Sequence, residues 1–419
     1  MKYIYSTLLK SANNIYKDSW FDLKIRKNNK YRKKKKRKCK VIESSYIDTY
    51  KIKLTLTDKQ KNIIKLWLDD CIDIYNIANN YIKTNVNNDN IKEIINFYKL
   101  RKHLETQLKE KCKVNKLNKH TADYAVHHCV TMYKSALSNH NNNLSKFSIN
   151  DLLKTRQRKN LVVEPASVSS KINSIFIKQL DKIISSSPLN LIKKNSVLQF
   201  DSIKNNFFII IPFDKIDKKE VYQHKKCGID IGVRTFITTY SRGESIEIGT
   251  NNNKLIDKYN NKIDSIKSNY NNQLKKLSKK KYEKSISKYS DKLKHSIEDL
   301  HNKTSTILLT LYKEIIIGKV SIKKMISNVT GNLQAITKRR LIALSHYKFR
   351  EKLKARAFKF GCKITEVSEY LTSKTCSNCK VINDKLGSSK IFNCSSCKLC
   401  IDRDINASIN IYKNEILTR

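Results

Sequence analysis

The chain has 419 residues, more than one compact domain usually needs, and 85 Lys+Arg against 37 Asp+Glu give a formal charge of +48. Such an excess points to a polyanionic partner, nucleic acid above all, rather than to an ordinary small-molecule enzyme. Only 8 Gly and 3 Pro occur, and neither a GxxxxGKS/T loop nor a GxGxxG turn is among them, which argues against P-loop ATPase and Rossmann dinucleotide chemistry.

Residues 1–45 read as a basic, disordered arm. Lys30, Arg32, Lys33, Lys34, Lys35, Lys36, Arg37, Lys38 and Lys40 place nine cations in eleven positions, a run that repels itself. It suits a phosphate-gripping arm, a nuclear-import signal if the host is eukaryotic, or a plain solvated tail. Met1 to Tyr16 lacks a signal-peptide core and no apolar run reaches membrane-spanning length, so a soluble intracellular chain is expected. In that compartment the 11 Cys are thiols or metal ligands rather than disulfides.

Tyr50 to Leu56 alternates as a strand, and Thr57 or Asp58 caps a helix whose apolar positions include Ile63, Ile64, Leu66, Leu68, Ile72, Tyr75 and Ala78. Helical pattern continues to about Asn143. Ser167 to Ile177, Val197 to Phe200 and Asn206 to Phe213 read as strands, so residues 46–222 suggest strands flanking a helical insertion. Cys227 to Tyr240 holds two strands, the first with a single acid, Asp230, in an apolar setting; Glu244 to Ile248 is a third. A helical hairpin follows over 254–313, then a buried strand from Glu314, a cationic helix over 333–360 ended by Gly361, and a strand from Cys362 to Ser368. The order βββ-α-β-α-β-α is that of an RNase H-like sheet in a mixed α/β chain, with a cysteine-rich insertion before its last helix.

Two constellations carry chemistry. Cys376 and Cys379, then fourteen residues, then Cys394 and Cys397 form paired CxxC knuckles, four thiolates suited to one tetrahedral Zn²⁺ with no open position for water. Cys400 makes a further CxxC spacing with Cys397 and competes as a ligand. Just beyond, Asp402-Arg403-Asp404-Ile405-Asn406 opens the last helix, where a carboxylate serves as a metal ligand or as an N-cap. An unpaired acid such as Asp230 in an apolar strand is costly, and a cation shared with Asp404 relieves that cost.

With GIDIGVRTF at 228–236, TSKTCSNC at 372–379, FNCSSC at 392–397 and DRDINASINI at 402–411, the chain resembles transposon-encoded TnpB nucleases, and more closely their Fanzor relatives, with type V CRISPR effectors as more distant cousins. YKIKLTLTDKQ at 50–60 and Tyr75-Asn76 are weaker matches, and the resemblance runs from residue 46 onward. It implies a RuvC-type nuclease domain over 223–371, a zinc ribbon over 372–400 and a C-terminal helix over 401–419. It further implies a barrel-like wedge domain over 46–57 and 158–222, carrying a helical recognition insertion over 58–157. The implied partners are a guide RNA and a double-stranded DNA target.

The resemblance also implies three catalytic acids: Asp230, a glutamate, and Asp404. TnpB proteins carry the glutamate at the end of the fourth strand, where this chain has Gly318. Fanzor proteins resemble this chain in placing a glutamate shortly before the TSKTC motif, and Glu369 fills that position. Glu366, three residues away on a strand, points to the opposite face, and Glu314 lies at the wrong end of its strand. Asp230, Glu369 and Asp404 would then hold two Mg²⁺ about 3.5–4 Å apart for phosphodiester hydrolysis. The competing readings are a binding-only regulator or transposition accessory that has lost cleavage, a DDE-type transposase, and a zinc-ribbon transcription factor.

Overall fold

The computed structural model describes residues 22–27, 40–87, 90–140, 147–221, 226–272, 278–319, 322–327, 333–387 and 389–413. In chain order its main strands are β1 (Leu23–Lys27), β2 (Lys40–Thr55), β3 (Arg158–Val163), β4 (Ser196–Asp201), β5 (Asn206–Val221), β6 (Cys227–Ile231), β7 (Ile237–Ser241), β8 (Glu244–Ile248), β9 (Glu314–Lys319), β10 (Lys363–Ser368), β11 (Ile391–Asn393) and β12 (Cys400–Asp402). The main helices are α1 (Asp58–Asn85), α2 (Lys119–Asn139), α3 (Asn252–Asn271), α4 (Lys279–Leu311), α5 (Ala335–Leu344), α6 (His346–Ala357) and α7 (Arg403–Lys413). They divide between two units, Tyr46–Lys215 and a second made of Met1–Ser45 with Ile216–Arg419.

In the first unit α1 starts on a capping box: Gln60 N donates to Thr57 Oγ1 at 3.3 Å and Thr57 N to Gln60 Oε1 at 2.9 Å. Its buried face, Ile64, Trp67, Leu68, Ile74, Tyr75, Ala78 and Ile82, follows the helical period and shares one core with Ile52 and Leu54 of β2 and Phe207 and Ile209 of β5. The sheet runs β3-β4-β5-β2 and ends on the two-residue strand Ile184–Ser185. Among the described residues it stays open, which corrects the expected barrel. Its apolar face is covered by helices, so closure is not needed to bury it.

The second unit is built on a six-stranded sheet ordered β1-β8-β7-β6-β9-β10. β6, β7 and β8 form an antiparallel meander, while β9 runs parallel to β6 and β10 parallel to β9. This is the RNase H-like arrangement, widened by β1 at one edge. The β7–β8 hairpin turns through Arg242 and Gly243, both at positive φ (47° and 84°), the geometry of a tight two-residue hairpin turn. β1 corrects the expectation of an unstructured arm for residues 22–27: Leu23 and Ile25 alternate with cations and pair against Ile248 and Ile246. Arg26 there meets the buried Glu247 at 3.0 Å. The lysine run from Lys30 to Lys38 lies outside the described residues.

Period-two alternation sorts the two faces of this sheet. Cys227, Ile229 and Ile231 of β6 face a core with Leu300 and Leu308 of α4 and Phe349 and Leu353 of α6. Gly228 and Asp230 face the other way, toward α7. A Cβ at Gly228 would sit 2.4 Å from Tyr412 N and 2.5 Å from Ser408 O, so only glycine admits the helix backbone this close. The cationic helix expected over 333–360 is broken at Ser345, left-handed at φ 49°. The break lets His346 bury its ring against Phe236, with centroids 5.4 Å apart, while His301 stacks on the same ring at 5.4 Å. No helix among the described residues is long and apolar enough to cross a membrane.

Candidate metal centres

Asp230, Glu369 and Asp404 arrive at the α7-covered face of the sheet by three routes. Asp230 points there by alternation along β6. Gly318 of β9 shares that face, because Ile316 pairs in register with Gly228 and residue 318 follows two positions on. On β10, Val367 pairs with Gly318, whereas Glu366 pairs with Ile317 on the α6 side. Glu366 accordingly binds Arg350 at 3.3 Å and Lys354 at 2.9 Å, both on α6. Glu369, just past β10, keeps the parity of Val367 and lies over Gly318. A Cβ added at Gly318 would fall 1.9 Å from Glu369 Oε1, 2.1 Å from Cγ and 2.3 Å from Cδ. The glycine is therefore the space that the Glu369 side chain occupies.

Asp404 stands in the first turn of α7. The capping role open to it in the sequence belongs to Asp402, whose Oδ1 accepts from Asp404 N at 3.0 Å and from Ile405 N at 3.4 Å. The Asp404 carboxylate is left for other work; burial raises its pKa and Asp402 adds to that, against the pull of Arg403 and Arg234.

Burial sets the electrostatics. It pushes the Asp230 carboxyl well above the usual carboxylate range, and the Glu369 and Asp404 charges push it further. Burial likewise lifts Glu369 to about 7 against the pull of Arg350, and it raises Asp404. Glu369 Oε1 is buried and has no hydrogen-bond partner among the described residues. Mutually repelling, desolvated carboxyls with an orphaned oxygen are what a hard cation would satisfy, so the donor set fits Mg²⁺. The three do not crowd together like the thiols: among the described residues, only Cys376, Cys379, Cys394 and Cys397 bring all their ligand atoms within 4.8 Å of one another.

Those thiols sit on two knuckles, with Cys376 Sγ 3.6 Å from Cys397 Sγ and Cys379 Sγ 3.4 Å from Cys394 Sγ. Four sulfurs around one Zn²⁺ at about 2.3 Å would lie roughly 3.8 Å apart, so the cluster fits that ion with little adjustment. Hydrogen bonds from Asn378 and Leu399 hold the Cys397 thiol down to about 6, favouring the thiolate a metal needs. Cys400 stands outside the group, exposed on β12 where it pairs with Asn393.

Sequence reasoning missed what docks this ribbon. Asn406 and Asn410 of α7 are 0% and 1% exposed. Asn406 donates to Thr375 O at 2.7 Å and accepts from Ser377 N at 2.9 Å, and Lys413 Nζ donates to Ser377 O at 2.7 Å. The available signal was two asparagines four apart between Ile405, Ala407 and Ile411, a polar pair on a buried helix face.

An RNase H-like α/β fold with a four-cysteine ribbon between its last strand and last helix defines the class. Residues 346–411, which carry Glu369, the four thiols and Asp404, match the family described as Cas12f1-like, TNB domain, and residues 210–329 match the one described as Probable transposase. TnpB-like proteins L770 and R854 of Acanthamoeba polyphaga mimivirus are each 33% identical over 411 residues, spanning 93% of this chain and 76% of theirs. Putative transposase A625R of Paramecium bursaria Chlorella virus 1 is 27% identical over 405 residues, 88% of this chain and 87% of its own. Among solved structures, the mini-RNA-guided endonuclease CRISPR-Cas_phi3 aligns over 88% of this chain and 92% of its own at 9% identity and a TM-score of 0.41, too loose a likeness to argue from. The chain belongs to the family of TnpB-like proteins.

Proposed function

We propose that the protein is an RNA-guided DNA endonuclease of a transposable element, hydrolysing phosphodiesters at Asp230, Glu369 and Asp404. The observation that carries this reading is the Glu369 side chain lying in the space that Gly318 leaves open, on the sheet face that Asp230 also points to. A chain that had merely lost its glutamate would have no reason to bury another one there with an orphaned oxygen. That counts against the binding-only alternative, which leaned on the glycine at position 318. Asp230, Glu369 and Asp404 would hold two divalent cations, whose Lewis acidity would serve to activate water and stabilise the departing 3′ oxygen. Asp230 presents its carboxylate from β6, Glu369 from the segment past β10 and Asp404 from α7, so a strand, a turn segment and a helix fix the donors from separate directions. Asp402 caps α7 and keeps Asp404 available. Cys376, Cys379, Cys394 and Cys397 would hold Zn²⁺ in a closed, structural site.

The formal charge of +48 supports a polyanionic partner, and the resemblance to TnpB nucleases implies a guide RNA that pairs with one strand of a double-stranded DNA target. The test is cleavage of matched DNA by protein purified with its RNA. Asp230→Asn, Glu369→Gln and Asp404→Asn should each lower the rate by on the order of 10³-fold or more while RNA and DNA binding persist. Wild-type protein that binds both nucleic acids but cuts nothing in Mg²⁺ or Mn²⁺ would replace this reading with the regulator.

A further inference from the structure

We infer that Asn410 is a positioning residue that locks the segment carrying Glu369 to the helix carrying Asp404, so that the four-thiol site sets the placement of two of the three carboxylates. This rests on the carboxylate site proposed above. Past β10 the chain folds into a tight turn: Thr372 N and Thr372 Oγ1 donate to Glu369 O at 3.2 and 2.9 Å. Thr372 is itself 2% exposed. Two carbonyls at and just beyond the end of this turn are taken up by one side chain, Asn410, whose Nδ2 donates to Thr372 O at 2.9 Å and to Thr375 O at 2.8 Å. One helical turn earlier, Asn406 binds Thr375 O and Ser377 N, the residues on either side of the Cys376 thiol. Asp404 lies two residues before Asn406 on that helix.

The path is short and continuous. From the Glu369 carbonyl it passes through Thr372 to Asn410, along α7 to Asn406 and Asp404, and through Thr375 to Cys376. Its hydrogen-bonding side chains, Thr372, Asn406 and Asn410, are almost fully buried, so water offers no substitute for a lost bond. The coupling follows from where the glutamate sits. Were it at position 318, on β9, the ribbon would touch the site through Asp404 alone. With Glu369 on the lead-in to the first knuckle, whatever fixes Cys376 also fixes the turn that aims Glu369. Outer partners of this kind typically change metal affinity or activity by 10–100-fold when removed.

The test uses the full chain with its co-purified RNA and the variant Asn410→Asp, which keeps size but turns an acceptor oxygen toward two carbonyls. Thr372→Val is a gentler second variant that removes only the Oγ1 bond to Glu369 O. Zinc content, amide hydrogen exchange over 369–377 and 403–408, and Mn²⁺ binding by calorimetry are measured on each. Both variants should keep one zinc, because all four thiols remain. Asn410→Asp should exchange at least about 10-fold faster in both segments and bind Mn²⁺ about 10–100-fold more weakly, with cleavage recovering partly at high Mn²⁺. Thr372→Val should shift in the same direction by less. Chelating zinc from wild-type protein should speed exchange over 403–408 as well as over the ribbon. Unchanged Mn²⁺ affinity in Asn410→Asp, or protection at 403–408 that survives zinc removal, overturns the inference. If wild-type protein binds no Mn²⁺ the nuclease reading falls, and the exchange response to zinc removal still decides the coupling.

Discussion

Gly318→Ala is the most informative single methyl that can be added to this protein. The new Cβ would fall 1.9 Å from Glu369 Oε1, and ordinary contact begins at 3.4 Å, so the carboxylate must retreat by about 1.5 Å. Misplacing a catalytic group by an ångström can lower a rate about 10²-fold, and a loss of at least that size is expected in single-turnover cleavage of matched duplex in Mg²⁺. Stability should move the other way. Alanine restricts the unfolded chain, worth about 0.4–1 kcal/mol, and a displaced Glu369 escapes the burial that lifts its pKa to about 7. The melting temperature should therefore hold or rise while cleavage collapses. The exchange variant Gly318→Glu with Glu369→Gly returns the carboxylate to β9 with its space cleared, and should regain part of the lost rate. A Gly318→Ala protein that cuts at the wild-type rate would refute the placement of Glu369 in the site.

Three further outcomes follow from the same geometry. Cys376→Ser and Cys394→Ser should each lose stoichiometric zinc and loosen the ribbon, whereas Cys400→Ser should retain it, as metal analysis of the purified variants would show. Glu366→Gln removes a carboxylate from the Arg350 guanidinium, 6% exposed, and should lower stability by about 1–3 kcal/mol in denaturant titration while the protein keeps its zinc. The carboxyls give metal-free protein a pH signature. Because burial raises Glu369 from 4.5 to about 7, the folded state holds the extra proton, so stability falls as pH climbs between those values. Asp230 and Asp404 act in the same direction. Adding Mg²⁺ at pH 8 should restore the melting temperature, and a metal-free protein that gains stability over that window would contradict the buried cluster.

Much of the candidate site is legible in the sequence. CxxC spacing fixes four thiols regardless of context, and period-two alternation separates Glu366 from Glu369 with no knowledge of the neighbouring strands. Gly318, by contrast, reads as a vacancy in the sequence and as a receiving surface in the fold, because what fills it lies 51 positions along the chain. The Ser345 break carries no glycine or proline and is accompanied by the stacking of His346 on Phe236, more than a hundred residues upstream. Asn406 and Asn410 bind carbonyls more than thirty residues upstream, so their purpose is invisible to local pattern. The alternation of Leu23-Lys-Ile-Arg-Lys was present, but the lysine run that follows outweighed it.

The strand at the sheet edge also bears on how the chain is made. β1 ends at Lys27 and its partner β8 ends at Ile248, and Arg26 and Glu247 are 221 residues apart. At a synthesis rate of about 5–20 residues per second, β1 leaves the ribosome roughly 10–40 s before anything exists for it to pair with. The Tyr46–Lys215 unit is completed in the interval, and the six-stranded sheet takes in at that edge a segment translated long before its partner. A strand that waits this long is an invitation to pair with a neighbouring chain. Three cations in five residues, Lys24, Arg26 and Lys27, make β1 a poor template for that error and leave the buried carboxylate of Glu247 as its proper destination.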